Sequence, residues 1–534
     1  MYKAVTLFTL TAAAIVAAWW WLGAAVPMPP SPLTPGEKLY CVSYAPFRGA
    51  QNPLDLSTRI EPDQIDQDLA QLARITDCVR TYSVDFGLDR VPEMARKHGL
   101  KVLLGLWVSS HADRTQYQLS TGIWLARRFP DVVRAVIVGN EALLRGEVSP
   151  ERLAEYIRSV KSQVPEPVTY ADVWEFWLRH RGLASAVDFV TIHILPYWED
   201  DPVAASLAAD HVDAIRKRAV QNFQNKEIVI GEVGWPSAGR MREGALPSPA
   251  NQARVLAEIL ARGKRESFRV NVIEAFDQPW KRYLEGTVGG HWGLFDDPAR
   301  TQKFAWDTPV SNHPYWRWQA AGGVVLALLI FAAAIGAARG AEVSAGLGAW
   351  FAIALNAATA GVFVGWTVEN VPVESLGLGG WLSSLAFAIL AMATPVVGAA
   401  ALARAQAVPV FAQVVGAKAE RTRDPLALAL GLLLLAVTVL ALQSALALSF
   451  DPRYRDFPFA PLTAATLPFV LLGFIAARSA GPRPLGETTA AIVLGLCALF
   501  IVWNETLANW QALWFVGALA LVAISLLRAR AAPD

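Results

Sequence analysis

Apolar residues are distributed unevenly along this 534-residue chain, and that unevenness limits the folds open to it more than any motif does. One apolar block covers residues 4–27, and seven more follow residue 318, at about 319–338, 345–366, 377–402, 425–449, 460–478, 487–504 and 510–528. Each is close to the ~20 residues that a helix needs to cross a bilayer. The stretch between them has the mixed composition of a soluble domain. The expected division is a signal-anchor transmembrane helix at 1–29, a Pro-rich linker at 30–37, a soluble domain at 38–312 and a membrane domain of seven helices at 313–534. Ala24-Ala25 before Val26 leaves a processing site open as the alternative to a retained anchor, and either reading exports the domain that follows.

The distribution of basic residues orients the spans. With residues 30–318 outside, the inner loops carry Arg339, then Arg404, Lys418, Arg421 and Arg423, then Arg478 and Arg483, and finally Arg528 and Arg530. The outer loops hold Arg453 and Arg455, and the 367–376 loop is acidic through Glu369 and Glu374. Eight spans with both termini cytoplasmic satisfy this pattern. The spans are nearly free of ionisable residues, since Glu342, Glu487 and Glu505 fall at their ends, which argues against chemistry inside the bilayer. Gly336, Gly340, Gly346 and Gly348 suit close helix packing. A packed anchor and partner platform is the expected role, with a polysaccharide conduit or docking site for a synthase as the alternative. No acidic cluster or Gln-x-x-Arg-Trp pattern of a nucleotide-sugar-using synthase is present. A net charge of +1 gives no reason to expect nucleic acid.

In the soluble stretch, strand-like and helix-like patterns alternate. Apolar, β-branched runs occur at 39–45, 76–82, 100–108, 132–140, 167–171, 187–194, 227–233 and 270–276. Helical stripes lie between them, such as Ile65, Leu69, Leu72 and Ala73, or Leu153, Tyr156, Ile157 and Val160. Near-continuous apolar strands separated by helices imply a parallel sheet covered on both faces, and eight such units fit a (β/α)8 TIM barrel. Cys41 and Cys78 fall in neighbouring strands and read as reduced core residues rather than a bridge. Cys497 lies in a membrane helix.

Two strand ends carry acids: Val138-Gly139-Asn140-Glu141 ends the fourth and Ile230-Gly231-Glu232-Val233-Gly234-Trp235-Pro236 ends the seventh. Barrels place their chemistry on this rim. Two carboxylates there suffice to break a glycosidic bond, one as acid and one as nucleophile or base. Asn140 is a candidate for a sugar 2-hydroxyl. Trp235 followed by Pro236 offers an aromatic wall, and Tyr197 is placed to orient Glu232. Glu274 reads as a hydrogen-bonding residue of the barrel interior. The seven histidines show no metal-ligand spacing, and the chemistry needs no cofactor.

The Gly139-Asn140-Glu141 turn, the stretch from Gly231 to Gly239, Phe276-Asp277-Gln278-Pro279-Trp280-Lys281 and Gly293-Leu294-Phe295 resemble family 17 glycoside hydrolases, the β-1,3-glucanases and glucan transglycosylases. The resemblance covers about residues 38–310. It implies a retaining double displacement, with Glu141 as acid/base and Glu232 as nucleophile, and it gives Lys281 a position near the site. Gln278 stands where many relatives carry an acid. The layout with a membrane-embedded C-terminal half is similar to bacterial inner-membrane proteins of periplasmic β-glucan assembly. Substrate contacts are expected from Asn140, Tyr44, Arg80, Tyr82, His193, Tyr197, Trp235, Trp280 and Lys281, because flat amphipathic rings stack on sugar C–H faces. Trp107, Trp174, Trp198 and Trp292 are further aromatic candidates.

The expected activity is remodelling of β-1,3-glucan by elongation, branching or cyclisation in the periplasm. Hydrolysis by an endo- or exo-glucanase is the first alternative, and an inactive glucan-binding membrane module is the second. The expected partners are a β-glucan chain and a glucan synthase or export machinery.

Overall fold

The computed structural model describes residues 2–339, 345–417, 421–476 and 481–530. Gly340, Glu342, Lys418 and Arg478, used above in the packing and charge arguments, lie outside them. The chain divides into two compact units: Val26–Val310, and Met1–Ala25 together with Ser311–Asp534.

The first unit is a closed barrel of eight parallel strands in sequence order: β1 Cys41–Ser43, β2 Cys78–Arg80, β3 Lys101–Leu106, β4 Val133–Asn140, β5 Val168–Val173, β6 Val190–His193, β7 Ile228–Val233 and β8 Val270–Val272. Seven of the eight strand runs read from the sequence contain one of them; the fifth run, 167–171, overlaps β5, which extends two residues beyond it to Val173. The other seven strands are shorter than their runs. Helices cover the outside, and their stripes follow the spacing that predicted them. Ile65, Leu69 and Leu72 are buried on α2 (Pro62–Leu72), and Leu153, Ile157 and Val160 on α5 (Pro150–Lys161). Ser149 caps α5 by accepting the Arg152 N–H, and Ser248 caps α8 (Pro249–Arg265) by accepting the Asn251 N–H, each followed by a Pro that fits the first helical turn.

Alternation along the strands sends Cys41, Cys78, Leu103, Ala135, Ile137 and Ala171 into one cluster separate from the strand–helix core. Val42 pairs with Val79, so Cys41 and Cys78 are neighbours across the β1–β2 ladder, and they form a disulfide. This corrects the expectation of reduced thiols. Adjacent parallel strands in register bring the two Cα atoms to 4.4 Å, within bridging range, and register is not visible in the sequence.

The second unit contains α1 (Tyr2–Leu22) and, after the barrel, α10 (Trp316–Arg339), α11 (Leu347–Glu374), α12 (Gly377–Arg404), α13 (Ala412–Val415), α14 (Pro425–Phe450), α15 (Phe459–Ile475), α16 (Leu485–Glu505) and α17 (Trp510–Arg528). Seven of these helices are long and apolar enough to cross a membrane; α15, with 17 residues, is shorter. Together they make the one N-terminal and seven C-terminal apolar helices that the hydropathy pattern predicts. The close crossings use other glycines than those expected. A Cβ on Gly323 would sit 2.3 Å from the Gly361 carbonyl, and one on Gly361 would sit 2.4 Å from Ile15, whereas Gly336, Gly346 and Gly348 face open space. Glu487 is buried and accepts the Phe411 N–H at 2.6 Å, while Glu505 accepts from Asn504 and Asn509. Both carboxylates are therefore tied into helix ends.

Candidate active site

The rim of the barrel gathers most of the polar residues named from the sequence. Gly139 (φ 89°) and Glu141 (φ 50°) both take left-handed backbone at the end of β4. For a glutamate this conformation is strained. It is held by the Glu141 N–H donating to the Ala171 carbonyl at 2.8 Å and by Arg145, which donates to the carbonyls of Asn140 and Val108. On β7, a Cβ on Gly231 would meet the Thr191 methyl at 2.4 Å and the His193 ring at 3.1 Å, so glycine there admits the imidazole.

His193, at the end of β6, lies between the two glutamates. Its Nδ1 is 2.8 Å from Glu141 Oε1, and its Nε2 is 3.7 Å from Glu232 Oε1. One carboxylate oxygen of each glutamate and a His193 nitrogen all lie within 4.8 Å of one another. Arg80 is buried and donates to Glu232 Oε1 and to Asn140 Oδ1, and its guanidinium lies 4.4 Å from the centre of the Tyr82 ring. The Tyr82 hydroxyl donates to Glu232 Oε1 at 2.8 Å. Burial by itself would raise the pKa of Glu232, but His193, Arg80, Lys281 and the Tyr82 hydrogen bond outweigh it and hold the carboxyl below its usual 4.5. The two acids differ in access: the Glu141 side chain is 23% exposed and that of Glu232 only 5%.

Further charged groups surround this centre. Glu274 is buried in the barrel, as expected, and its pKa is pushed up to about 7, mainly by burial, although Lys281 donates to it at 2.8 Å. Glu285, on α9 (Arg282–Gly289), is raised by burial and by the nearby charges of Glu141 and Glu232, with Lys281 opposing. Asp172, at the end of β5, is raised to about 6, first by burial and also by Glu141, although it accepts from the Tyr170 hydroxyl. Asp172, Glu285 and Arg145 were missed in the sequence. Asp172 carries the same signal, an acid at a strand end, and lies one residue beyond the apolar run 167–171. Gln278 is buried. Its amide donates to the Ala45 and Phe276 carbonyls while its oxygen accepts from Trp280 Nε1. A carboxylate has no proton for those carbonyls, which explains the departure from the family pattern.

Several expected substrate contacts are displaced. Tyr44 is fully buried on the helix side of β1 and donates to Asp68 of α2. Trp235 is also fully buried, donating to the Leu246 carbonyl, and offers no face to a sugar. The buried Tyr197 hydroxyl donates to the Arg240 carbonyl at 2.9 Å, and the phenol that reaches Glu232 is that of Tyr82. Tyr197 packs edge-on to Trp198, Trp235 and Trp292, of which Trp292 is also buried. The half-buried rings are Tyr82, Trp107, Trp174, Trp198 and Trp280. Glu141, His193 and Glu232 are spaced so that they can hold a cation, but a metal ion there would bind a carboxylate already paired with the Arg80 guanidinium.

Residues 41–293 match the model of the BtgE/BtgC glycoside hydrolase domain. Over 226 residues the chain is 30% identical to the probable beta-glucosidase btgE of Aspergillus flavus, covering 41% of this chain and 36% of that protein. Over 233 residues it is 28% identical to a glucan 1,3-beta-glucosidase of Schizosaccharomyces pombe, covering 40% of this chain and 72% of that protein. Among solved structures it is similar to an active-site mutant of the Rhizomucor miehei beta-1,3-glucanosyltransferase in complex with laminaritriose, at 25% identity and a TM-score of 0.43, covering 51% of this chain and 98% of that one. The chain thus spans about a third of the length of the first of these relatives and most of the second. The family model runs along the whole strand region, so the barrel is similar over its length to a BtgE/BtgC glycoside hydrolase domain.

Proposed function

We propose that the barrel acts on β-1,3-glucan by a retaining double displacement, with Glu232 as nucleophile and Glu141 as acid/base. The observation that carries this is the placement of one oxygen from each carboxylate within 4.8 Å of the other. That spacing suits direct attack on the anomeric carbon, for which about 5–5.5 Å between carboxyl groups is typical; an inverting pair stands about 6.5–9.5 Å apart to admit a water. The electrostatics support this division of roles. Glu232 is buried, paired with Arg80 and kept ionised, as a nucleophile must be. Glu141 is the more exposed, so it can exchange its proton with an acceptor. It protonates the leaving glycosidic oxygen while Glu232 attacks. It then takes the proton of the incoming hydroxyl as the glycosyl–Glu232 bond breaks. Asn140, fixed by Arg80, is placed for a 2-hydroxyl, and the half-buried Tyr82, Trp107, Trp174, Trp198 and Trp280 are the rings available for stacking. The substrate class rests on the relatives, one of which is a glucan 1,3-beta-glucosidase.

The incoming hydroxyl in this proposal belongs to another glucan, so the outcome is chain transfer on the periplasmic side of a bacterial inner membrane. The barrel segment joins apolar helices at both ends, and eight such helices exceed what anchoring a hydrolase requires. The Cys41–Cys78 disulfide supports an oxidising compartment, and the basic residues of the opposite loops support an outward orientation of the barrel. Incubating the purified full chain with laminari-oligosaccharides of one length and sizing the products tests the proposal. Products longer than the donor are expected. Only shorter products and free glucose would defeat transfer.

A further inference from the structure

The helix unit holds a second polar site, unrelated to the barrel chemistry. A cavity of about 330 Å³ opens where the segment after α12, the C-terminal turn of α15 and the end of α17 converge, a size suited to a small ligand. Leu434, Phe469 and Leu472 form its apolar side, and Gln413, Thr422 and Arg528 its polar side. No acidic side chain among the described residues lines it, whereas Arg530 adds a second guanidinium at the opening. These are helix ends that the arginine pattern places on the cytoplasmic face.

Arg528 is the unusual member. Its Nη1 is buried and has no acceptor among the described residues. The guanidinium stacks on Phe474 at 4.0 Å, which fixes its plane without satisfying its donors. Gly473 makes the room: a Cβ there would lie 3.3 Å from Arg528 Cδ and 3.4 Å from Nη1. A buried guanidinium donor left unsatisfied is costly, and an anion is the partner that satisfies it best. Arginine's planar fork matches phosphate oxygens in particular. Gln413 spends its side-chain oxygen on the Val410 N–H, which leaves its amide N–H₂ as a further donor group.

We propose that this cavity binds a phosphate-bearing anion, with Arg528 donating to the phosphate oxygens and the apolar side receiving an attached hydrocarbon chain. A lipid headgroup and a soluble phosphate share the first feature, and only the lipid uses the second. Delipidated full chain in dodecyl maltoside is titrated with dioctanoyl phosphatidylglycerol, with dioctanoylglycerol and, separately, with inorganic phosphate, and bound adducts are counted by native mass spectrometry. Phosphatidylglycerol is expected to bind, and R528Q to weaken it at least tenfold. G473L keeps the guanidinium but fills its berth, and is expected to weaken binding similarly; it decides alone if R528Q does not fold. Saturation by inorganic phosphate with the same sensitivity would assign the site to a soluble ligand. The proposal is overturned if neither phosphate probe binds, if both variants bind like the parent, or if dioctanoylglycerol binds as tightly as phosphatidylglycerol.

Discussion

Replacing Arg80 by glutamine tests the electrostatic account of the nucleophile most directly. Arg80 and Glu232 are 1% and 4% exposed, so solvent screens their attraction little. At about 4 Å and an effective dielectric constant near 20, two unit charges interact by about 4 kcal/mol. At ~1.36 kcal/mol per unit, that would move the Glu232 pKa by about 3 units if nothing else responded. His193, Lys281 and the Tyr82 hydroxyl remain and retain part of the effect. The expected rise is therefore about 1–3 units. Glu232 titrates below 4.5 in the parent, so its charge contributes stability above that pH that is lost as pH falls through its folded value. In R80Q the acid limb of kcat/KM, which reports the free enzyme's essential base, should move up by the same 1–3 units. At pH 5 the variant should lose a larger share of its pH 7 activity than the parent does. Breaking a buried ion pair also destabilises by about 3–5 kcal/mol, so near-ultraviolet circular dichroism must show that the variant is folded. R80K provides the second arm: it keeps the charge but loses the fork that reaches both Glu232 and Asn140. Its acid limb should stay within about half a unit of the parent while kcat falls. A folded R80Q whose acid limb does not move would refute the assignment of Glu232 as a nucleophile kept ionised by Arg80.

Three further outcomes are expected. Glu232→Gln should abolish turnover of laminari-oligosaccharides while leaving their binding, measured calorimetrically, within a few-fold; surviving turnover would displace the nucleophile assignment. The double variant C41A/C78A opens a cross-link between residues 37 apart, worth about 3–4 kcal/mol by loop entropy. It should lower the melting temperature of the barrel by roughly 10 °C at ~2–4 °C per kcal/mol, and a melt unchanged by the substitution or by reductant would argue against the bridge. Asp172 has a folded pKa raised from 3.8 to about 6, so its favourable contribution is complete below 3.8 and is lost as pH rises through 6. Asp172→Asn should flatten this dependence, gaining about 3 kcal/mol on the parent between pH 4 and pH 7, read as a melting difference that vanishes at the acidic end.

What the sequence reveals of this site, and what it hides, follows from one property of strands: successive side chains point to opposite faces. In β2 the period runs unbroken, so Cys78, Arg80 and, just beyond it, Tyr82 share the inner face and climb from the disulfide to Glu232. Just beyond β1, Tyr44 is out of phase with Cys41 and Ser43, and it therefore faces α2 and Asp68 rather than the rim. Applying the phase would have removed Tyr44 from the substrate contacts without any coordinates. The acids themselves escape this rule. The β4–β5 register shifts between Ile137 and Asn140, and the β7–β8 register shifts between Ile230 and Val233, so each glutamate follows or occupies an irregular step that re-aims side chains. Only Gly139 and Gly231 mark those steps in the sequence. Glycine before an acid at a strand end was therefore the legible signal, because irregular backbone and a close His193 both exclude larger side chains there. Pairings set by register or by loops, such as Cys41 with Cys78 and Tyr82 with Glu232, join residues whose separation along the chain carries no trace of contact. The fold was readable because its signal repeats eight times, whereas each of these pairings occurs once.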